Sequence, residues 1–264
     1  MSSDERWQWV DEDPIEKLLR PPAGAIPSTT PSESSAARYR AAGYAQFEGL
    51  RFEEAVGSYA AAVAAEPGHG TAHFDLAVCL EKTEQWKAAA NAFRRALEDN
   101  PGHAEALAGL GACLLHLGAA EEALSCFERL VETNGPNEAA TLGKAVALQK
   151  LTRYEEADRI YRDMLQTNPD AVEPLANLIA LSGARQDAAA VSEYSHRLLR
   201  IHPQSKAALQ GLAMLAIRNG DQAAAVEYCM RLVEADPDSF EGWFNLRFAQ
   251  QRMQPHGKAA RSIA

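Results

Sequence analysis

Proline recurs along this chain at an interval of 34 residues or twice that interval. The prolines that keep the spacing are Pro67, Pro101, Pro169, Pro203 and Pro237. Gly135 stands at the one vacant position, with Pro136 directly after it. Proline ends a helix because it lacks an N–H donor and restricts the residue before it. The interval therefore predicts one structural unit that is repeated about every 34 residues.

Three further columns of residues keep the same interval. A small-residue column consists of Gly43, Ala77, Gly111, Ala145, Ile179 and Ala213. An alanine column consists of Ala55, Ala89, Ala123, Ala157, Val191 and Ala225. A ring column consists of Tyr59, Phe93, Phe127, Tyr161, Ser195 and Cys229. Small residues let two helices approach closely, and rings fill the space beside the next pair. The columns predict a helix–turn–helix unit that buries its apolar face only against neighbouring units.

This pattern resembles the tetratricopeptide repeat family, whose period is 34 residues. The residues closest to the family pattern are Leu107, Leu110, Gly111, Ala123 and Phe127. The resemblance implies an all-α, right-handed α-solenoid of stacked antiparallel helix pairs. It also implies a concave groove lined by the first helix of each pair. The fifth and sixth repeats depart from the pattern at Ile179, Ser195 and Cys229, so local packing there is expected to differ.

The repeat interval divides the chain into four regions. We expect an acidic, tryptophan-containing segment at 1–20, a Pro/Ser/Thr-rich linker at 21–35, a repeat region at 36–254 and a tail at 255–264. The six repeats are predicted at 36–69, 70–103, 104–137, 138–171, 172–205 and 206–239, followed by a C-terminal helix at 240–254. That helix is interpreted as a cap, with Arg247, Gln250, Gln251 and Arg252 facing water. The alternative is an open apolar end, built on Trp243, Phe244, Leu246 and Phe248, that pairs with a second copy.

Family resemblance places one apolar column of the first helices at the floor of the groove. This floor column is Tyr44, Val78, Ala112, Val146, Ala180, Met214 and Phe248. Its neighbours one helical turn away are Phe47, Leu115 and Ile217 on one side and Phe74, Leu142 and Phe244 on the other. We predict that the groove binds the apolar face of a helix or an extended hydrophobic segment. The alternative is that these residues pack against adjacent helices, and this is the expectation for the two alanines.

Few charged residues lie near the floor column. In family members that bind acidic C-terminal tails, Asn, Lys and Arg at this column and beside it clamp a carboxylate. Here Val and Ala stand where Asn would be, and the only nearby cations are Arg40 and Lys150. A carboxylate clamp is therefore not expected.

Trp7 and Trp9 lie in the acidic N-terminal segment, and they are two of only four tryptophans in the chain. Tryptophans outside a core usually contact a partner. We therefore interpret 1–20 as an interaction segment. One hypothesis is that it occupies the groove of its own chain or of a neighbour. Deleting 1–35 would then raise affinity for a ligand.

The net charge and the hydropathy of the chain argue against binding to nucleic acid and against insertion in a membrane. The formal net charge is −10, from 36 acidic and 26 basic residues, and a net acidic surface repels nucleic acid phosphates. No apolar run approaches the ~18 residues that a membrane span needs, so membrane insertion is not expected. The N-terminus lacks a secretion signal, and four scattered cysteines contain no CxxC pair. We therefore expect a cytoplasmic protein with buried thiols.

Candidate catalytic and metal-binding residues have simpler explanations. His69 and His73 are four residues apart, and His103 lies one repeat beyond His69. A metal site needs at least three converging ligands, and solvated turn residues explain His69 and His103 better. Paired glutamates open three second helices, where they favourably meet the helix dipole: Glu53–Glu54, Glu121–Glu122 and Glu155–Glu156. There is no glycine-rich phosphate loop and no GxSxG motif. We predict no cofactor, no metal and no enzymatic activity.

The resulting prediction is an adaptor or scaffold that holds a peptide or helix of another protein. Two alternatives remain open. The chain could assemble with itself into a homo-oligomeric scaffold, or it could be an accessory subunit of an enzyme complex.

Overall fold

The computed structural model describes residues 34–253, and within that range it contains thirteen α-helices and no strand. The predicted segment at 1–20, most of the linker and the tail at 255–264 lie outside the described residues. In chain order the helices are α1 (Ser35–Glu48), α2 (Phe52–Ala65), α3 (Gly70–Lys82), α4 (Trp86–Asp99), α5 (Ala104–His116), α6 (Ala120–Asn134), α7 (Glu138–Lys150), α8 (Tyr154–Thr167), α9 (Val172–Ala184), α10 (Ala188–Ile201), α11 (Lys206–Asn219), α12 (Gln222–Ala235) and α13 (Phe240–Met253).

Helices α1–α7 form one compact unit, called unit 1, and α8–α13 form a second, called unit 2. In unit 1 the pairs are α1 with α2, α3 with α4 and α5 with α6, and each second helix also packs on the following first helix. In unit 2, α9 pairs with α10 and α11 with α12, while α8 packs on α9 and α12 on α13. The prediction of an all-α fold built from repeated helix pairs is confirmed.

The ring column packs directly against small residues in unit 1. A Cβ built on Gly111 would lie 2.6 Å from Cζ of Phe127, and one built on Gly143 would also collide with that ring. The ring of Phe127 therefore fills the space between α5 and α7. Tyr59 meets Gly43 in the same way, with 2.9 Å between its ring and a Cβ built on that glycine. The small residues were predicted to let two helices approach closely. In the structure they let an aromatic ring approach the helix backbone.

A turn with one left-handed residue joins the two helices of each repeat. These residues recur every 34 positions, with φ between 58° and 77°: Leu50, Glu84, Gly118, Thr152, Gln186 and Gly220. The residue after each of the first two donates its N–H to a carbonyl five residues back, as from Arg51 to Gln46 and from Gln85 to Leu80, each at 2.9 Å. This is the Schellman arrangement, in which the left-handed residue ends the helix.

The five periodic prolines have a second structural role besides ending helices. Each accepts a side-chain hydrogen bond from the following repeat through its carbonyl oxygen. The donors are His73 to Pro67 (2.8 Å), Arg129 to Pro101 (2.6 Å), Arg197 to Pro169, Arg231 to Pro203 (3.0 Å) and Trp243 to Pro237 (2.8 Å). These carbonyls lie in the turns between repeats, so each donor gives one of them a hydrogen-bond partner and connects successive repeats.

The left-handed turn can be tested at Gly118. No atom lies within 4 Å of a Cβ built there, so Gly118→Ala changes only the backbone preference. We expect the free energy of unfolding to fall by about 1–2 kcal/mol, because L-residues are penalised in this region. Gly57→Ala is the matched control, since Gly57 lies within α2 with equally open surroundings. It should raise stability by about 0.5–1 kcal/mol. Urea unfolding that showed the same sign for both variants would contradict the turn assignment.

Candidate binding surface

All the predicted groove residues are at the surface. None of the following is buried: Arg40, Tyr44, Phe47, Phe74, Val78, Leu115, Leu142, Val146, Met214, Ile217, Phe244 and Phe248. Tyr44, Met214 and Phe244 are the most exposed, at 61%, 56% and 60%. Unit 1 carries eight of these residues, from Arg40 to Val146, and unit 2 carries the other four. The first helices therefore leave these residues half-buried or exposed, next to the face that packs in the core.

The expectation for the two alanines of the floor column was wrong for Ala180. Ala112 is half-buried and Ala180 is exposed, so neither is a core residue. Residues one position away on the same helix are buried, as with Ile179 and Leu181 beside Ala180. The floor column thus stays on the solvent side of the first helices, both in the repeats that match the family pattern and in those that depart from it.

In unit 1 the polar and aromatic side chains beside the floor are already held by neighbours. The Nε of Arg40 lies 3.7 Å from a carboxylate oxygen of Asp75, and its Nη1 lies 3.3 Å from Nε2 of His69. Burial raises the pKa of Asp75 above its ordinary value, and the Arg40 guanidinium opposes that rise. Arg40 therefore contacts two side chains of its own unit.

The interpretation of His103 as a solvated turn residue needs correction. Its Nδ1 accepts a hydrogen bond from the N–H of Ala106 at 3.4 Å, so it caps the start of α5. Its ring also stacks on Phe74, with 4.6 Å between centroids. His69 is half-buried at the N-terminal cap of α3, and His73 is buried. These histidines therefore lie in or beside the turns between repeats, and His103 also packs beside the apolar face.

Unit 2 contains a cavity of about 490 Å³ on the same face, bounded by α9, α10, α11 and the first turn of α13. Its lining is mainly small and apolar, and the residues on which the argument rests are Ala176, Ile179, Ala180, Gly183, Gly211 and Met214. Sequence reasoning had named only Met214 and Ile217 of this lining as binding residues. The signal that could have found the cavity is the departure of the fifth repeat from the pattern.

The fifth repeat packs differently beside this cavity. Ser195 stands where earlier repeats carry a ring, and Ile179 stands where they carry a small residue. A Cβ built on Gly211 would lie 2.9 Å from Cγ2 of Ile179 and 3.0 Å from Oγ of Ser195. In unit 1 the corresponding Gly143 faces the whole ring of Phe127. Ile179 and Ser195 together therefore take the place against Gly211 that the ring takes against Gly143.

Both signs of charge lie at the edge of this cavity. Asp187, Arg218 and Glu241 are among its lining residues. Asp187 caps α10 by accepting the N–H of Ala190 at 3.0 Å. Arg218 and Glu241 are exposed, and neither forms an ion pair with another residue of the range 34–253. The cavity therefore combines an apolar interior with an available cation and an available carboxylate.

Helix α13 is only partly a cap. Leu246 and Ala249 are buried against α11 and α12, and the four polar residues predicted to face water are exposed. However, Phe240, Trp243 and Phe244 are also exposed, at 83%, 52% and 60%. The apolar surface of unit 2 therefore continues from the cavity onto α13.

The cysteine and glutamate side chains, which could act in catalysis or metal binding, are placed as follows. Burial raises the pKa of the Cys79 and Cys113 thiols to about 12, which disfavours the nucleophilic thiolate. The three glutamate pairs are exposed in the first turns of α2, α6 and α8. Across residues 34–253 no three potential metal ligands converge. None of the helices in that range is long and apolar enough to cross a membrane.

Comparison with protein-family models shows which family has this architecture. Models described as tetratricopeptide repeat match residues 40–85 and 80–139, and a further one matches 207–239, which together make up half of the chain. The chain belongs to the tetratricopeptide repeat (TPR) family. Residues 118–214 also match a model described as the coatomer epsilon subunit. Proteins with this repeat bind other proteins, and the repeat is generally non-catalytic.

Solved structures of other TPR proteins share the fold at low sequence identity. A TPR protein from Parabacteroides merdae is 18% identical, with a TM-score of 0.68 over 81% of this chain and 84% of its own. PilF of Pseudomonas aeruginosa is 18% identical, with a TM-score of 0.62 over 82% and 97%. YrrB, described as a TPR protein with an unusual peptide-binding site, is 15% identical, with a TM-score of 0.51 over 73% and 97%. No curated protein sequence matches the chain.

Proposed function

We propose that this protein is a non-catalytic adaptor that binds a peptide or amphipathic helix of a partner on the apolar face of its first helices. The observation that carries the proposal is the exposure of the floor column and its neighbours, while the same helices bury their other apolar residues. An apolar strip with few free charges suits the apolar face of a helix. The description of YrrB as having a peptide-binding site supports the same use of the fold.

A contact of modest apolar area would be sufficient for a stable complex. Burying ~400 Å² of apolar surface contributes on the order of 10 kcal/mol before association costs. After those costs a micromolar complex remains attainable. Buried, unpaired thiols fit a reducing compartment, so the proposal places this binding in the cytoplasm.

The proposal is tested with charges placed on the face. Tyr44→Glu in unit 1 and Met214→Glu in unit 2 each put a carboxylate on an exposed apolar position. Met230→Glu is the matched control, because Met230 is 46% exposed on α12, a second helix. We expect affinity capture with quantitative mass spectrometry to show a protein whose recovery falls at least tenfold in either face variant. A loss of about 1.4 kcal/mol of binding free energy lowers the affinity tenfold. Equal recovery with all variants, or loss only with Met230→Glu, contradicts the proposal.

A second candidate function is self-assembly through α13. The observation that favours it is the exposure of Phe240, Trp243 and Phe244 at the end of unit 2. Light scattering coupled to size exclusion would then show a dimer or larger species that Phe244→Glu reduces to a monomer. A monomer for the unsubstituted chain at micromolar concentration removes this candidate.

A further inference from the structure

Helix α13 carries a strip of residues that stays at least partly open to solvent. Four residues spaced three or four positions apart share this side of the helix: Glu241, Phe244, Phe248 and Arg252. Leu246 and Ala249 are buried against α11 and α12, so the core lies on a different side of α13. Phe244 is 60% exposed, Phe248 is half-buried, and both charged residues are exposed. We call these four residues the α13 strip, and it is accessible to another chain.

The two ends of the α13 strip carry opposite charges. Glu241 lies in the first turn of the helix and Arg252 in the last. Neither forms an ion pair with a residue of the described range, and the guanidinium of Arg252 lies over the ring of Phe248, 4.7 Å from its centroid. The two charges are about 16 Å apart along the helix axis. The strip is therefore acidic at one end, aromatic in the middle and basic at the other end.

This order of residues is complementary to itself. When a second copy of α13 runs antiparallel to the first, a two-fold axis passes between the positions of Phe244 and Phe248. Glu241 of each copy then faces Arg252 of the other copy. Phe244 of each copy likewise faces Phe248 of the other. Opposite charges and ring contacts both favour such a pair, so one strip supplies both halves of the contact.

Other ways of pairing α13 bring like charges together. The neighbouring side of the helix carries Trp243 and Arg247, which are both exposed. Arg247 lies at the middle of the helix, so an antiparallel pair on that side would place its two copies beside each other at the two-fold axis. A parallel pair on the strip would place Glu241 beside Glu241 and Arg252 beside Arg252. Like charges repel, so the charges favour antiparallel pairing on the α13 strip.

We propose that two copies of this chain associate through the α13 strip as an antiparallel, two-fold symmetric helix pair, with Glu241 of each copy paired to Arg252 of the other. The inference rests on the self-assembly candidate above, and it adds the contacting residues, the direction of the partner helix and the symmetry. The contact covers Phe244 and Phe248, which also belong to the proposed partner face. A partner bound at these rings therefore competes with the second copy.

Charge reversal at the two ends of the strip tests the pairing in the full chain. Glu241→Arg and Arg252→Glu each turn two attractive contacts of the dimer into repulsive ones, because the symmetry uses every pair twice. We expect each variant to raise the dissociation constant of the dimer roughly tenfold or more in sedimentation equilibrium. Arg247→Glu is the matched control, since it reverses an exposed arginine of the same helix outside the strip, and it should not weaken the dimer. Circular dichroism checks that each variant is folded.

Mixing the two single variants tests the direction of the partner helix. One variant carries two arginines on its strip and the other carries two glutamates, so a mixed dimer has both ion pairs restored. We expect heterodimers to predominate in native mass spectrometry, which distinguishes them from homodimers by mass. The double variant Glu241→Arg/Arg252→Glu should dimerise like the unsubstituted chain. A mixture with no more heterodimer than random exchange gives overturns the pairing.

The outcomes separate this inference from the self-assembly candidate. An unsubstituted chain that is monomeric at micromolar concentration removes both. A dimer that Phe244→Glu dissociates but that the charge variants leave unchanged keeps self-assembly through α13 and overturns the antiparallel pairing. A dimer that Arg247→Glu and Arg252→Glu weaken equally also overturns it, because the strip would then not be the contact. The capture experiment is unaffected by these results, since it measures a different protein on the face variants.

Discussion

The packing of one aromatic ring against glycine in two successive first helices is the contact on which the described fold depends. In unit 1, Phe127 meets both Gly111 and Gly143, so a single side chain joins α5 to α7. The ring takes the inner side of each first helix. The adjacent face of each first helix, which carries Tyr44, Val78 and their periodic equivalents, stays at least partly exposed. The proposed binding face is therefore a consequence of how the core is packed.

The architecture could be predicted from the sequence because each residue type that recurs is required at its position for one physical reason. Prolines end helices, and rings need small neighbours. The turns could not be predicted in the same way. Their left-handed residues include Leu50, Glu84 and Thr152, which share no chemical property, and only Gly118 and Gly220 are of the type that this conformation favours. The donors to the proline carbonyls are regular only in part, since Arg129, Arg197 and Arg231 share one repeat position whereas His73 and Trp243 stand at a different one.

The candidate site was predictable in part. The floor column followed from the family resemblance, and its residues are half-buried or exposed in the structure, including Ala180, which was expected to pack against adjacent helices. The cavity of unit 2 was missed because it is defined by small side chains, and no single residue among Ala176, Gly183 and Gly211 is distinctive. Two of its lining residues, Ile179 and Val191, replace small residues of earlier repeats, so the departure from the pattern marks where the cavity lies.

The central claim is that a foreign chain contacts the apolar face of the first helices. Photo-crosslinking tests this contact directly. A benzoylphenylalanine at position 44 or 214 would report contacts on the face, and one at position 230 would report contacts on a second helix. The account predicts covalent adducts with another protein at 44 or 214 and none at 230. Adducts at 230 alone, or at all three positions equally, would contradict it.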